Sequence, residues 1–404
     1  MGVLLLKRFD QEQTKDGLHH NHPLLSSEKT RSAKTTASKD VPRRDKITMQ
    51  KQPTQTEDAR LDLVNHTSFA RAYESWPKDR PFPCFLAEKF PEKPNGYTML
   101  VTPVQDGAGL LFHRPHKTGS TTVAGMVMRI ARRKAHLVQD APLTPACRHR
   151  ANHGTAHTDF LYQKRDKEKS FLFSIIRDPT KRAISQFFHF GVSVYHMEPT
   201  DAVFQREMMS PNFGHYYLRN LGLRKVERVD KVRIQKSLVK EIIDGYDFIA
   251  ITERLDESLV VFKMLLGLDL EDILYVRERS QGGFSNGPPA RPCLYVWPAF
   301  LTKGMKAFFA SSKWKNHMNG DFMLYEVANM SLDLTIDRLG REKVESEVIR
   351  FKAAVKFAEE LCAPRAVPLC KEDGSRSNKT TCYIWSEGCS HECLDEITIP
   401  DANL

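Results

Sequence analysis

The sequence predicts an α/β protein: a single three-layer domain with a central parallel sheet, followed by a Cys-rich C-terminal tail. Three observations carry this expectation. From Tyr97 onward, short apolar runs alternate with amphipathic helical stretches, the pattern of parallel strands covered on both faces. Two of those strands run straight into helices across polar turns, at 110–123 and 175–190. Five of the eight cysteines lie after residue 361.

The elements follow in order. Leu110-Leu111-Phe112 closes the first buried strand, and Val123, Met126, Val127, Ile130 and Ala131 then recur at helical spacing. Phe171–Ile176 is a second strand. Asp178-Pro179 after it is a helix start, with Asp as N-cap and Pro at the first helical position, and Ile184, Phe187 and Phe188 give that helix its apolar face. A helix near 231–244 ends at Gly245. Asp247–Thr252 is a third strand, a helix runs from Asp256 to about Leu266, and Ile273–Val276 reads as a short fourth strand. Beyond Pro298 the chain is mostly helical, with Val344, Val348, Phe351, Val355, Ala358 and Cys362 marking one long amphipathic helix.

The 404 residues suffice for one large domain or two medium ones, and 41% apolar residues allow a sizeable core. Residues 1–60 are rich in Lys, Thr, Ser, Asp and Gln and read as a disordered arm or stem. Residues 61–96 read as an irregular segment wrapped on the domain, 97–362 as the domain itself and 363–404 as the tail. Polytopic membrane, collagen-like and wholly disordered classes are excluded by 27% charged residues, 21 Gly and 22 Pro. A net charge of +10 favours anionic partners without choosing among them. There is no nucleic-acid module signature.

Clustered cysteines and a sequon at Asn378, with others at Asn65 and Asn329, suit disulfides in a secretory lumen. The alternative is zinc on Cys389, His391 and Cys393, a spacing outside the standard finger patterns. Against the lumen, the apolar run Met1–Leu6 stops at Lys7 and Arg8, too short for a signal or a membrane span. Either the true N-terminus is missing or the protein is not secretory.

Chemistry concentrates in two turns. In LLFHRPHKTGSTTV (110–123), Lys117, Thr118, Gly119, Ser120, Thr121 and Thr122 lie between a strand and a helix. Backbone N–H groups at a helix N-terminus bind anions, Lys adds a point charge, and hydroxyls add donors. It is not a Walker A loop, because Lys117 precedes Gly119. A plain Lys-Thr-Gly surface turn is the bland alternative. In IIRDPTKRAISQFFHF (175–190), Arg177 stands at the carboxyl end of a strand and Ser185 two helical turns on, so both can meet one anion. Alternatively Arg177 pairs with Asp178 or another carboxylate.

The two turns together resemble those of sulfotransferases that use PAPS (3′-phosphoadenosine 5′-phosphosulfate). His116–Val123 resembles their 5′-phosphosulfate loop, and Arg177 to Ser185 resembles their 3′-phosphate motif. Ile251–Val261 and Trp314–Asn329 are similar to segments of the galactose 3-O-sulfotransferases, including the cerebroside (galactosylceramide) type. His153–Phe160 also resembles heparan sulfate 2-O-sulfotransferases. The resemblance spans roughly 97–362 and implies a P-loop-NTPase-like sulfotransferase fold. It further implies PAPS as co-substrate, PAP as product, a glycan or glycolipid acceptor sulfated at O-3 of galactose, and no required metal. It implies the Golgi lumen, with membrane association only through an N-terminal anchor that this chain does not show. The oligomeric state is unknown.

On this reading Lys117 stabilises the leaving phosphate, 118–122 hold the 5′-phosphate, and Arg177 with Ser185 holds the 3′-phosphate. A His is the natural general base. His157 matches a catalytic position in the related glycan enzymes, with His153 and His116 in reserve; each can equally be a loop residue. Glu253 and Asp256 read as helix-start and packing residues, and 280–283 as a loop over the nucleotide. The alternatives are a heparan-type 2-O-sulfotransferase, a nucleotide-dependent kinase and a non-catalytic anion-binding module.

Overall fold

The computed structural model describes residues 67–83, 85–87, 109–136, 144–146, 148–151, 165–222, 229, 231–277, 282–285, 293–379 and 389–399. Its central sheet is built from β2 (Gly109–His113), β4 (Arg148–Ala151), β5 (Ser170–Ile176) and β6 (Phe248–Ile251) in the order β4-β2-β5-β6. All three pairings are parallel, with Leu111 opposite Leu172 and Ser174 opposite Ile249. Every residue of β2, β5 and β6 is buried, as strands covered on both faces must be. A short antiparallel pair, β1 (Phe85–Ala87) with β3 (Thr144–Ala146), and a hairpin, β7 (Phe284–Ser285) with β8 (Leu294–Tyr295), stand apart from this sheet.

Helices supply the outer layers. α1 (Ser120–His136) packs Val123, Met126, Val127 and Ile130 onto the sheet. α2 (Pro179–Gln186) is capped by Asp178, whose carboxylate accepts from Lys181 N at 2.8 Å. The chain then widens into a π-helical stretch, Phe187–Val194. After α3 (Asp201–Met208) and α4 (Tyr216–Leu221) come α5 (Val232–Gly245) and α6 (Leu255–Leu266). α7 (Lys303–Ala310) and α8 (Ser312–His317) bury Met305, Phe308 and Trp314 in a second core with Phe187, Phe188 and Phe204. α9 (Asn319–Leu339) and α10 (Arg341–Cys362) complete the main core, and α11 (His391–Asp395) returns to it.

One strand is corrected. Ile273–Val276 is not in the sheet: Glu271–Ile273 is a single 3-10 turn, and extended chain follows. Residues 273–276 are buried, but the carbonyls of Glu271 and Leu274 accept from the Arg129 guanidinium at 3.0 and 2.7 Å, not from a strand. Their apolar run reports core rather than sheet. The fourth strand is instead β4, whose sequence RHRA lacks that pattern because it lies at the sheet edge.

The cysteines form disulfides. Cys362–Cys393 joins α11 to the end of α10, Cys293–Cys370 is a second bridge, and Cys389 is also oxidised. Two of the three candidate zinc ligands are therefore consumed. The segment 389–399 is not a loose appendage, since Cys393, Leu394, Ile397 and Ile399 are buried in the main core. Among the described residues, no helix is long and apolar enough to cross a membrane. Asn329 lies inside α9, with its side-chain amide donating to Tyr325 O at 2.9 Å; Asn378 is exposed.

His113, at the carboxyl end of β2, is 1% exposed with Nδ1 2.7 Å from the Tyr246 hydroxyl. Burial pushes its imidazole down to about 4. The folded chain keeps it neutral, whereas the unfolded chain protonates it near its ordinary value. Its contribution is present above that value and is lost as pH falls toward the folded one, costing about 2 kcal/mol at pH 5. A His113→Asn variant should therefore lose less melting temperature than the parent between pH 7 and pH 5. Parallel curves would remove His113 from the acid response.

Candidate active site

The first turn follows β2. Arg114, 3% exposed, donates Nε to Ser120 Oγ at 3.3 Å and Nη2 to Thr121 Oγ1 at 2.7 Å. Thr118 and Ser120 hydroxyls donate back to Pro115 O at 3.1 and 2.8 Å. These bonds fold 115–120 into a tight loop. Lys117 takes a left-handed backbone at φ 64° and Gly119 at φ 73°. For a lysine that conformation costs about 1–3 kcal/mol and marks a constrained site. Gly119 is required for its φ rather than for space, since an added Cβ would meet Thr252 at an ordinary 3.6 Å. α1 starts at Ser120 with no acidic side chain in its first turn, which leaves the positive end of its dipole uncompensated.

The second turn follows β5. Arg177 Nη1 reaches Lys117 O at 3.4 Å, and its Nε lies 3.9 Å from Glu253 Oε1. Glu253 also accepts from Asp178 N and from the Tyr325 hydroxyl, so it orients the second turn rather than merely starting a helix. The Thr252 hydroxyl lies 2.7 Å from Thr118 O and 3.0 Å from Ile176 O, joining the ends of β2, β5 and β6.

Two consecutive tyrosines on α4 hold both turns. The Tyr216 hydroxyl accepts from His116 N at 2.8 Å. The Tyr217 hydroxyl accepts from Arg177 N at 2.8 Å and donates to Arg177 O at 2.7 Å. Burial pushes the Tyr217 phenol well up, so it keeps the proton it donates. Arg182, fully buried, stacks 3.7 Å from the Tyr216 ring centre. Asp321 on α9 accepts from the Tyr217 and Leu218 amides at the start of α4. Burial raises its carboxyl to about 6, against the opposing pull of Arg182. Tyr217→Phe strips the half-buried Arg177 amide of its acceptor, worth about 1 kcal/mol. The melting temperature should fall accordingly, and an unchanged one would show that the hydroxyl adds nothing to the fold.

The turns open on a cavity of about 400 Å³. Lys117, Gly119, Ser120, Thr121, Thr122, Arg177 and Ser185 all line it, so the structure brings together nearly every residue expected from the two motifs. Thr118 is the exception: its side chain is fully buried in the loop and does not reach the cavity. Among the described residues, no carboxylate lines it. His116 lines it too, but desolvation and the nearby Arg114, Arg182 and Lys117 push its imidazole down to about 3. His153 and His157 lie outside the described residues, as do positions 280 and 281 of the 280–283 loop. The sequence reading missed Arg114, Arg129, His189, Phe190, Tyr275, Arg277, His391 and Leu394, which also line the cavity. His189 and Phe190 follow two phenylalanines that pattern as core, and only the π-helical widening presents them here.

A sequence model of the family described as galactose-3-O-sulfotransferase matches residues 135–381. This chain belongs to that family. Galactosylceramide sulfotransferase of Bos taurus is 23% identical over 314 residues, covering 69% of this chain and 70% of the relative. Galactose-3-O-sulfotransferase 3 of Homo sapiens is 23% identical over 318 residues, covering 69% and 67% respectively. The family match includes the Arg177 turn and the supporting Glu253, Asp321 and Tyr325; it begins after the Lys117 turn.

Proposed function

We propose that the protein transfers a sulfuryl group from PAPS to a hydroxyl of a galactose-containing glycan or glycolipid, at O-3 of galactose. The observation that carries this is one cavity in which two strand-to-helix turns converge, lined by Arg114, Lys117 and Arg177 and, among the described residues, by no carboxylate. Such a lining suits a ligand with phosphate at two separate positions. Lys117 and the amides and hydroxyls of 119–122 take the 5′-phosphosulfate. Arg177 and Ser185 take the 3′-phosphate, which distinguishes PAPS from ATP.

The reaction is an in-line displacement, by analogy with phosphoryl transfer. A bond forms between the acceptor oxygen and sulfur while the bond from sulfur to the bridging oxygen breaks. The bridging oxygen leaves on PAP with the electron pair, and Lys117 stabilises that charge. The acceptor proton passes to a histidine. This reading assigns it to His157, with His153 in reserve; His116 is a poor acceptor because its conjugate acid is too strong. The family's setting implies the Golgi lumen, which the disulfides suit.

Thermal stabilisation by PAP, ADP and ATP at matched concentrations tests the nucleotide class. A ligand at 100 times its Kd adds about 2.7 kcal/mol. PAP should raise the melting temperature well beyond ADP. A larger shift with ATP would favour a kinase, and no shift with any of them would overturn the donor reading.

A further inference from the structure

The cavity is lined by two groups of residues. One is the cations and hydroxyls of the two turns. The other joins Leu255, Leu274, Tyr275 and Val276 to His391 and Leu394 of α11, with Arg129 and Arg277 also in the lining. α11 lies outside the matched family region, which stops at residue 381.

Specific bonds place α11 against the cavity. The Cys362–Cys393 disulfide ties it to α10. Arg129, 1% exposed on α1, donates Nε to Asp395 at 2.8 Å and Nη2 to Leu394 O at 3.0 Å. The same guanidinium holds the carbonyls of Glu271 and Leu274, so one side chain fixes both parts of the second group. Ile399 N donates to Glu271 Oε1 at 2.8 Å, a further link from 389–399 to the segment that carries Leu274. A nucleotide joins anionic phosphates to a flat, weakly polar base, and the ring and aliphatic side chains of the second group suit the base.

We propose that the disulfide-anchored segment 389–399 is the base-binding wall of the donor site, so that nucleotide affinity depends on the Cys362–Cys393 bond. Rings and aliphatic side chains there cover the faces of the base, and His391 offers an edge for hydrogen bonding. This inference rests on the donor reading above. Opening the disulfide removes the covalent link of α11 to α10 and leaves it held by Arg129, by Glu271 and by the core contacts of Leu394, Ile397 and Ile399. The phosphate turns, built from β2, β5 and β6, are not altered by that change.

The test uses the full chain in three forms: the parent, His391→Ala, and the double variant Cys362→Ser/Cys393→Ser. Each is titrated with PAP and with inorganic pyrophosphate, which engages only the phosphate turns. His391→Ala should bind PAP about tenfold more weakly, the scale of one lost polar or ring contact, at an unchanged melting temperature. The double variant should lose more PAP affinity, and pyrophosphate should bind all three alike. Should the double variant fail to fold, His391→Ala carries the test alone. Equal PAP affinity across the folded forms overturns the inference, as does a parallel loss of PAP and pyrophosphate. A parent that binds no PAP overturns the donor reading itself, which is a different result.

Discussion

Lys117→Ala is expected to lower kcat by about 10²–10³, the usual loss when one group facing developing charge is removed. The melting temperature should hold, because alanine keeps the Cβ and the same left-handed backbone at φ 64°. PAP affinity should fall less than kcat, since the ammonium matters most as the bridging oxygen gains charge. The strained conformation supports this role. A surface lysine has no reason to persist in a backbone suited to glycine, whereas here Lys117 lines the cavity and its carbonyl accepts from Arg177. Steady-state rates with PAPS and a galactoside acceptor decide the matter. Unchanged turnover would remove Lys117 from the reaction.

Arg177→Ala should weaken PAP by about 10–100-fold, the value of a hydrogen bond to a charged group, and should weaken ADP far less. Glu253 sharpens the test. It lies beside Arg177 and Lys181 and accepts from Asp178 N, so removing the guanidinium leaves its carboxylate one cation poorer. Glu253→Gln keeps the shape and removes a negative charge 3.9 Å from Arg177 Nε, so it should tighten PAP rather than weaken it. Isothermal titration with PAP and ADP separates the outcomes. If both nucleotides weaken alike in Arg177→Ala, the side chain does not read the 3′-phosphate.

The two turns were legible because their chemistry is local. A strand, a short polar loop and a helix start are all written within about a dozen residues, as Asp178 capping α2 before Pro179 illustrates. The π-helical turn is a different case. It depends on how Phe187 and Phe188 settle into the second core, and no local pattern announces it. Glu253 looked like a helix-start residue by position, and it does start one; its reach to Arg177 appears only when β5 and β6 pair. Likewise β4 is too polar to read as a strand, while 273–276 is apolar enough to imitate one. Tyr216 and Tyr217 sit in a short helix without a marked motif, and their hydroxyls meet the two turns only through tertiary packing. The tail was legible as disulfide-bonded but not as part of the core, because Arg129 lies mid-helix in sequence and its partners are far along the chain.

That distance sets an order of events. The bond from Arg129 to Asp395 joins residues 266 positions apart. Contacts of such separation close late, because chain entropy must be lost before they form. During synthesis the β2–α1 unit emerges well before its guanidinium finds any partner in 389–399. Until the later segment arrives, one flank of α1 lacks the cover that 389–399 gives it. Cys362 and Cys393 lie only 31 positions apart, so their bridge can close first and shorten the search of 389–399 for Arg129.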